Sequence, residues 1–386
     1  MSQAREFRIP RSIRFGSGAS REVGAEAKAL GGSRALIVTD AFMRSGGNCA
    51  AVEKTLQAAG IATHIYDGVN SEPDLTHVRD GLALQQQYSC DLIVALGGGS
   101  PLDAGKAIAV MATNTGKIAD YMGSGKLTRP GLPLIAIPTT AGTGSEATQF
   151  TIITDTDHDV KMLIGSPFIL PLVALVDPDL TLAMPRGLTA ATGLDALTHG
   201  IEAYVSRKAQ PLSDLMALSA VRLLGENLLP AWERPDDQEA RSKTMLGALQ
   251  AGIAFSNSSV ALVHGMSRPV GAVFHVAHGV SNAALLGEVM DFSVPGDPER
   301  YADIAVALGL NRQGNAEATA RAGVARVKEL IRAMQVPSYS QLGVSKEKLD
   351  PVAGKMADDA IASGSPANNP RLATRDEIIS LYYKVL

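Results

Sequence analysis

An α/β half built on a parallel sheet, followed by an all-helical half, is the fold the sequence predicts, and three observations predict it. Between Ser33 and Asp177 short β-rich runs alternate with helix-like segments: RALIVTD, ATHIYDG, CDLIVALGGGS, LPLIAIPTT and LVALVDP. These runs are apolar throughout, as strands buried on both faces must be. Beyond Leu188 the texture changes to Ala- and Leu-rich stretches such as LTAATGLDALTHGIEAYVS, with helical periodicity and almost no strand candidates. Pro185 and Gly187 punctuate the change, so the expected domains are 1–185 and 186–386. Finally, the strand DLIVAL runs through a glycine turn into the helix-like PLDAGKAIAVMA, the strand, turn and helix of a nucleotide site.

Composition sets the bounds. A chain of 386 residues, 46% hydrophobic and 19% charged, is expected to be globular with two or three domains. Thirty-five basic against 39 acidic residues give a formal charge of −4, which argues against nucleic acid as a partner. The amino terminus lacks the apolar core of an export signal, and the apolar stretch PFILPLVALV falls short of the ~20 residues that cross a bilayer. Cys49 and Cys90 have neither metal-site nor disulfide-framework spacing. A cytoplasmic protein with no membrane partner is therefore expected.

In the first half, Gly97, Gly98 and Gly99 let the backbone approach a phosphate. Ser100 as N-cap, with Pro101 at the first helical position, would aim free N–H groups at it. A plain tight turn is the competing explanation. Asp40, ending RALIVTD, either accepts ribose hydroxyls and repels a 2′-phosphate or caps the next helix. The loop PTTAGTGSEAT adds the hydroxyls of Thr139, Thr140, Thr143 and Ser145.

In the second half, Asp195 and His199 stand four apart, on one face of a helix. His264 and His278 bracket HGMSRPVGAVFHVAHG, and the chain has only seven histidines. One straight helix would separate those two by roughly 21 Å. Pro269 and Gly271 are expected to turn the chain between them. One carboxylate and three imidazoles suit a divalent first-row metal, with Fe(II) and Zn(II) both open.

Taken together, GGGSPLDAGKA, IPTTAGTGSE, AATGLDALTHGIEAYVS, HGM…HG and NNPRLATRDEIISLYY resemble the iron-containing, group III alcohol dehydrogenases. The resemblance spans Pro10 to Tyr383 and implies a Rossmann-like domain, a helical domain with a cleft between them, and a homodimer or larger assembly, an architecture shared with dehydroquinate synthase. It implies Asp195, His199, His264 and His278 as metal ligands. For NAD it implies Gly97, Gly98, Gly99, Ser100 and Asp103 of the glycine segment, Thr139, Thr140 and Thr143, and Lys161, beside Asp40. Where the family commonly has a second histidine, four residues after the third ligand, this chain has Arg268. Arg268 and His275 are then the candidates for catalytic work beside His264 and His278. Glu72, in NSEPDL, stands near the adenosine side where some relatives carry asparagine. The expected activity is hydride transfer between NAD(H) and a small alcohol/aldehyde pair. The alternatives are a small hydroxy acid/oxo acid pair, an NAD-dependent lyase, or a non-catalytic NAD-binding or metal-sensing protein.

Overall fold

The computed structural model describes residues 4–158 and 160–386. The chain divides into two compact units, Arg8–Leu182 and Ala183–Leu386, the latter joined by residues 4–7. Those first residues are held there by Gln210 Nε2, which donates to the Glu6 carbonyl at 2.9 Å.

The first unit contains strands β1 (Ser12–Phe15), β2 (Arg34–Val38), β3 (Ala62–Tyr66), β4 (Leu92–Gly97), β5 (Gly123–Ser124), β6 (Leu134–Pro138), β7 (Phe150–Asp155), β8 (Val160–Gly165) and β9 (Val173–Val176). Its helices are α1 (Val23–Ala29), α2 (Ala41–Ser45), α3 (Asn48–Ala58), α4 (Leu75–Gln87) and α5 (Gly99–Met111). Six strands form one sheet in the order β1-β9-β6-β4-β2-β3, every pair parallel. Side chains on successive residues leave opposite faces. Ala35, Ile37, Val94 and Ile135 meet Val23 of α1 and Val52 and Leu56 of α3, whereas Leu36, Ile93, Ala95 and Ala136 meet Leu102 and Ile108 of α5. Both faces are thus covered, which is why these strands read as unbroken apolar runs. Each fully buried Leu or Ile contributes about 1.5 to 3 kcal/mol. The chain steps outward from β2 to β3, then returns to place β4 on β2's other side. Such a reversal opens a crevice at the strands' carboxyl ends.

The second unit contains α6 (Arg186–Val205), α7 (Pro211–Glu233), α8 (Gln238–Ser258), α9 (Leu262–Phe274), α10 (His278–Ser293), α11 (Pro298–Ala307), α12 (Ala316–Ala333), α13 (Lys346–Leu349), α14 (Ala353–Ala362) and α15 (Arg375–Lys384), and no strand among the described residues. Buried α6 packs on both α7 and α8. No single helix among the described residues is long and apolar enough to cross a membrane. The expected turn at Pro269 and Gly271 is absent. Helix α9 continues through Pro269 to Phe274, and the chain turns at His275, which has φ 55°. Proline removes one N–H, but the carbonyl it would have paired belongs to Gly265, so the helix loses one bond without stopping.

Candidate active site

Three loops meet at the crevice of the first unit. After β4 comes Gly97, at φ +148°, where a Cβ would lie 2.6 Å from Pro101 Cγ and 3.2 Å from Asp40 Oδ2. Only glycine fits there. A Cβ on Gly99 would lie 2.9 Å from Thr143 Cγ2, and one on Gly98 would lie 3.5 Å from Thr140 Cγ2. The sequence-predicted Asp40, Gly97, Gly98, Gly99, Thr140 and Thr143 are therefore neighbours. Thr139 is buried beside them, its N–H donating to the Gly97 carbonyl at 3.0 Å. The helix cap differs from expectation. Gly98, not Ser100, is the N-cap of α5, and it lends no side-chain cap. The N–H groups of Gly99 and Ser100 consequently remain available at a positive dipole end, Pro101 having none and Leu102 N donating to the Gly98 carbonyl at 3.3 Å. Asp40 does cap α2, accepting from Met43 N at 2.8 Å with Oδ1. Its other oxygen is the one facing Gly97.

In the helical unit, Asp195 and His199 lie one turn apart on α6, His264 lies in the first turn of α9 and His278 begins α10. Helix α10 reaches α6 closely because residue 279 is glycine; a Cβ there would lie 2.3 Å from the Ala191 carbonyl oxygen. Ligand atoms of Asp195, His199 and His264 lie within 4.8 Å of one another, all three residues buried. His278 Nε2 is 3.8 Å from Asp195 Oδ1, and His264 Nε2 is 3.5 Å from the same oxygen. The His199 ring stacks between His264, at 4.5 Å, and Phe255, at 4.2 Å.

Two further residues complete the cluster. Glu202, buried on α6, accepts from Val263 N at 2.6 Å and pairs through Oε2 with His264 Nδ1 at 2.5 Å. That contact keeps a proton on Nδ1, so Nε2, beside Asp195, is the nitrogen that would turn its lone pair to a cation. Asn282 Nδ2 lies 2.6 Å from Asp195 Oδ1 and 3.1 Å from Nε2 of both His264 and His278. Asn282 Oδ1 is buried with no hydrogen-bond partner among the described residues.

Charge follows this packing. Burial would raise the Asp195 carboxyl, but the surrounding imidazoles, His199 first, hold it well below the usual carboxylate range. Burial opposes protonation of His264, yet Glu202 and Asp195 outweigh it and lift that histidine to about 9. Burial drives His278 down to about 3, against the attraction of Asp195. The cluster fits a divalent ion. Three donor atoms already converge where Asn282 Nδ2 sits, the ligands are nitrogen and oxygen only, and two buried carboxylates call for a cation.

Residues 10–178 match the family model "Iron-containing alcohol dehydrogenase", and residues 189–386 match "Fe-containing alcohol dehydrogenase family, C-terminal". The chain belongs to the iron-containing alcohol dehydrogenase family. It is 39% identical over 382 residues to an NAD-dependent methanol dehydrogenase of Bacillus methanolicus, covering 98% of this chain and 99% of the relative. With a 1,3-propanediol dehydrogenase of Klebsiella pneumoniae the identity is 40% over 382 residues, covering 98% and 97%. The crystal structure of a 1,3-propanediol oxidoreductase superposes with a TM-score of 0.96 at 38% identity over 100% of both chains.

In this family member the remaining candidates separate. Arg268 is one helical turn beyond His264 on α9, and Nη1 donates to Ser365 Oγ at 3.2 Å. His275 caps α9 in the left-handed conformation, exposed, with no hydrogen bond to the metal-ligand cluster among the described residues. Lys161 forms an ion pair with Glu72 at 2.7 Å. Asp103 serves the unit's own structure, its carboxylate accepting from Ser145 Oγ at 2.6 Å and Ile152 N at 2.9 Å. Ser100 makes no side-chain bond among the described residues.

Sequence reasoning missed Glu202, Asn282 and Lys106. Glu202 stands seven residues after Asp195 and Asn282 four after His278, so helical spacing was the available signal. Lys106 is fully buried, its Nζ donating to Ser145 Oγ, Thr148 Oγ1 and the Phe150 carbonyl, each at 2.8 Å. Burial lowers this lysine to about 8 and raises neighbouring Glu146 to about 7.

Proposed function

We propose that Asp195, His199, His264 and His278 hold one catalytic divalent ion, Fe(II), and that the loops around Gly97 bind NAD(H). The protein is an oxidoreductase of alcohols and aldehydes, and a small alcohol/aldehyde pair is the proposed substrate. The observation that carries this is the convergence of the Asp195, His199 and His264 ligand atoms within 4.8 Å in a buried setting. When bound, the ion supplies a Lewis acid for the substrate oxygen, and the nicotinamide supplies or accepts the hydride.

The chain's own residues do the positioning. Glu202 fixes the His264 proton on Nδ1, and Asn282 orients Asp195. The N–H groups of Gly99 and Ser100 at the start of α5 would hold the pyrophosphate, with Thr140 and Thr143 alongside. The free Asp40 oxygen would accept ribose hydroxyls and disfavour a 2′-phosphate. Zn(II) is the second reading for the metal, because the nitrogen and oxygen donors accept either ion. The buried, unpaired Cys49 and Cys90 support a reducing, cytoplasmic setting. The family resemblance supports a homodimer or larger assembly, which light scattering would test.

Anaerobic loading with Fe(II) or Zn(II), metal analysis and NAD-linked oxidation of small alcohols test the central claim. One ion per chain is expected, with His264→Ala losing both the ion and most turnover. Full activity in a metal-free His264→Ala protein refutes the assignment.

A further inference from the structure

Helix α9 carries His264 and, one turn later, Arg268 on the same face. Arg268 is half-buried, and that burial works against its charge. A guanidinium has five N–H donors, yet Ser365 Oγ is the sole hydrogen-bond partner of this one among the described residues. No carboxylate forms an ion pair with it there. The two buried Lys and Arg side chains among the described residues, Lys106 and Arg241, are better satisfied: Lys106 has three bonds at 2.8 Å. Arg241, also buried, donates to Pro235 O, Thr189 Oγ1 and Met184 O. A half-buried guanidinium whose other N–H donors have no protein partner among the described residues is a ready partner for an anion.

Its surroundings say where that anion lies. Arg268 sits one turn after His264 on α9, close enough to the cluster that Glu202 favours its charge and it disfavours a charged His278. Glu202 is itself fully engaged by Val263 N and His264 Nδ1, so it offers Arg268 a field but no direct bond. Asp195 and Glu202 carry two negative charges in this enclosure, and a divalent ion would balance both. The guanidinium then remains as one uncompensated positive charge beside the metal ligands.

We propose that Arg268 receives an anionic oxygen group on the substrate, so that this enzyme acts on a small alcohol or aldehyde bearing a carboxylate or a similar oxyanion. The planar fork of the guanidinium pairs with such a group through two parallel bonds. This inference rests on the metal-dependent dehydrogenase function proposed above.

The test uses three alcohols of one skeleton: 3-hydroxypropanoate, 2-hydroxyethylphosphonate and neutral 1-propanol. Metal-loaded wild-type protein, Arg268→Leu and Arg268→Lys are compared by kcat/KM with NAD+. Binding of 3-hydroxypropanoate to the metal-free proteins is followed separately by saturation-transfer NMR. Wild type is expected to prefer at least one anionic alcohol over 1-propanol by tenfold or more. In Arg268→Leu the loss on that anion should exceed the loss on 1-propanol by at least 30-fold, mostly through KM, and the NMR signal should vanish. Should the leucine variant not fold, Arg268→Lys carries the test, with an anion-specific KM rise of about threefold or more, since lysine keeps the charge but loses the fork. Equal losses on neutral and anionic alcohols, wild-type preference for 1-propanol, or a rise confined to the KM for NAD+ overturns the proposal. If the dehydrogenase function itself fails, no alcohol is turned over by any protein while the Arg268-dependent NMR signal persists, so the two failures are distinguishable.

Discussion

Replacing Glu202 by glutamine changes one atom and breaks a pattern that only a carboxylate satisfies. Oε1 accepts from Val263 N at 2.6 Å and Oε2 accepts from His264 Nδ1 at 2.5 Å, with Glu202 and His264 both buried. Glutamine has one acceptor. If its oxygen faces Val263, its NH2 confronts His264 Nδ1, forces that nitrogen to accept, and moves the histidine proton to Nε2, where the metal needs a lone pair. If its oxygen faces His264, the NH2 confronts the Val263 N–H and a donor in the first turn of α9 is orphaned. A buried unpaired donor costs about 1 to 3 kcal/mol, and loss of an outer partner of a metal-bound histidine typically weakens affinity about 10- to 100-fold. The two agree, because each tenfold is about 1.4 kcal/mol. We expect Glu202→Gln to bind Zn(II) about 10- to 100-fold more weakly in chelator competition, with native circular dichroism and unchanged NADH binding by fluorescence. Zinc affinity within twofold of wild type in a folded variant would refute the reasoning.

Three other outcomes follow from the same geometry. Asp40→Ser keeps a side-chain cap on α2 but removes the carboxylate, so the kcat/KM preference for NAD+ over NADP+ should fall at least tenfold; an unchanged ratio places Asp40 outside the ribose site. Lys106→Met strips the buried cation from beside Asp103 and Glu146, and should cost about 3 kcal/mol in urea unfolding of the holoprotein; a loss under about 1 kcal/mol would show that the lysine charge is dispensable. Glu146 is raised from its ordinary 4.5 to about 7. A raised folded-state pKa means that its stabilising contribution is present below pH 4.5 and lost as pH rises to 7, about 3 kcal/mol in all. Glu146→Gln should lack that decline, and parallel stability curves for the two proteins would sink the assignment.

The sheet was legible because burial on both faces leaves an unmistakable mark, as in RALIV and LIVALG, where successive residues meet opposite helix layers. The hairpin of β7 and β8 left no such mark. Its strand Phe150–Asp155 alternates half-buried and buried positions and is polar at several of them, since it pairs outside the main sheet. Ser12–Phe15 is an edge strand and partly exposed, so its sequence has little need to be apolar. Pro269 misled for a different reason. Proline's cost in a helix depends on which carbonyl it strands, and the sequence alone does not show that Gly265 bears it inside α9.

The site was legible in proportion to how much of it one helix supplies. Asp195 and His199 share α6, so their joint grip was visible as a spacing of four. Glu202 extends the same face to a spacing of seven, but a carboxylate there equally suits a solvated face, and only the packing of α9 against α6 turns it inward onto Val263 and His264. Asn282 follows the same logic from His278 on α10. The residues that hold the ligands are therefore the ones whose meaning depends on helices meeting. The turn at His275 and the close approach at Gly279 bring those helices together, and neither is a chemical motif. A glycine that admits α10 to within touching distance of Ala191 matters as much to His278 reaching Asp195 as the histidine itself. On this view Gly279→Val should misplace His278 and weaken metal binding without altering a single ligand.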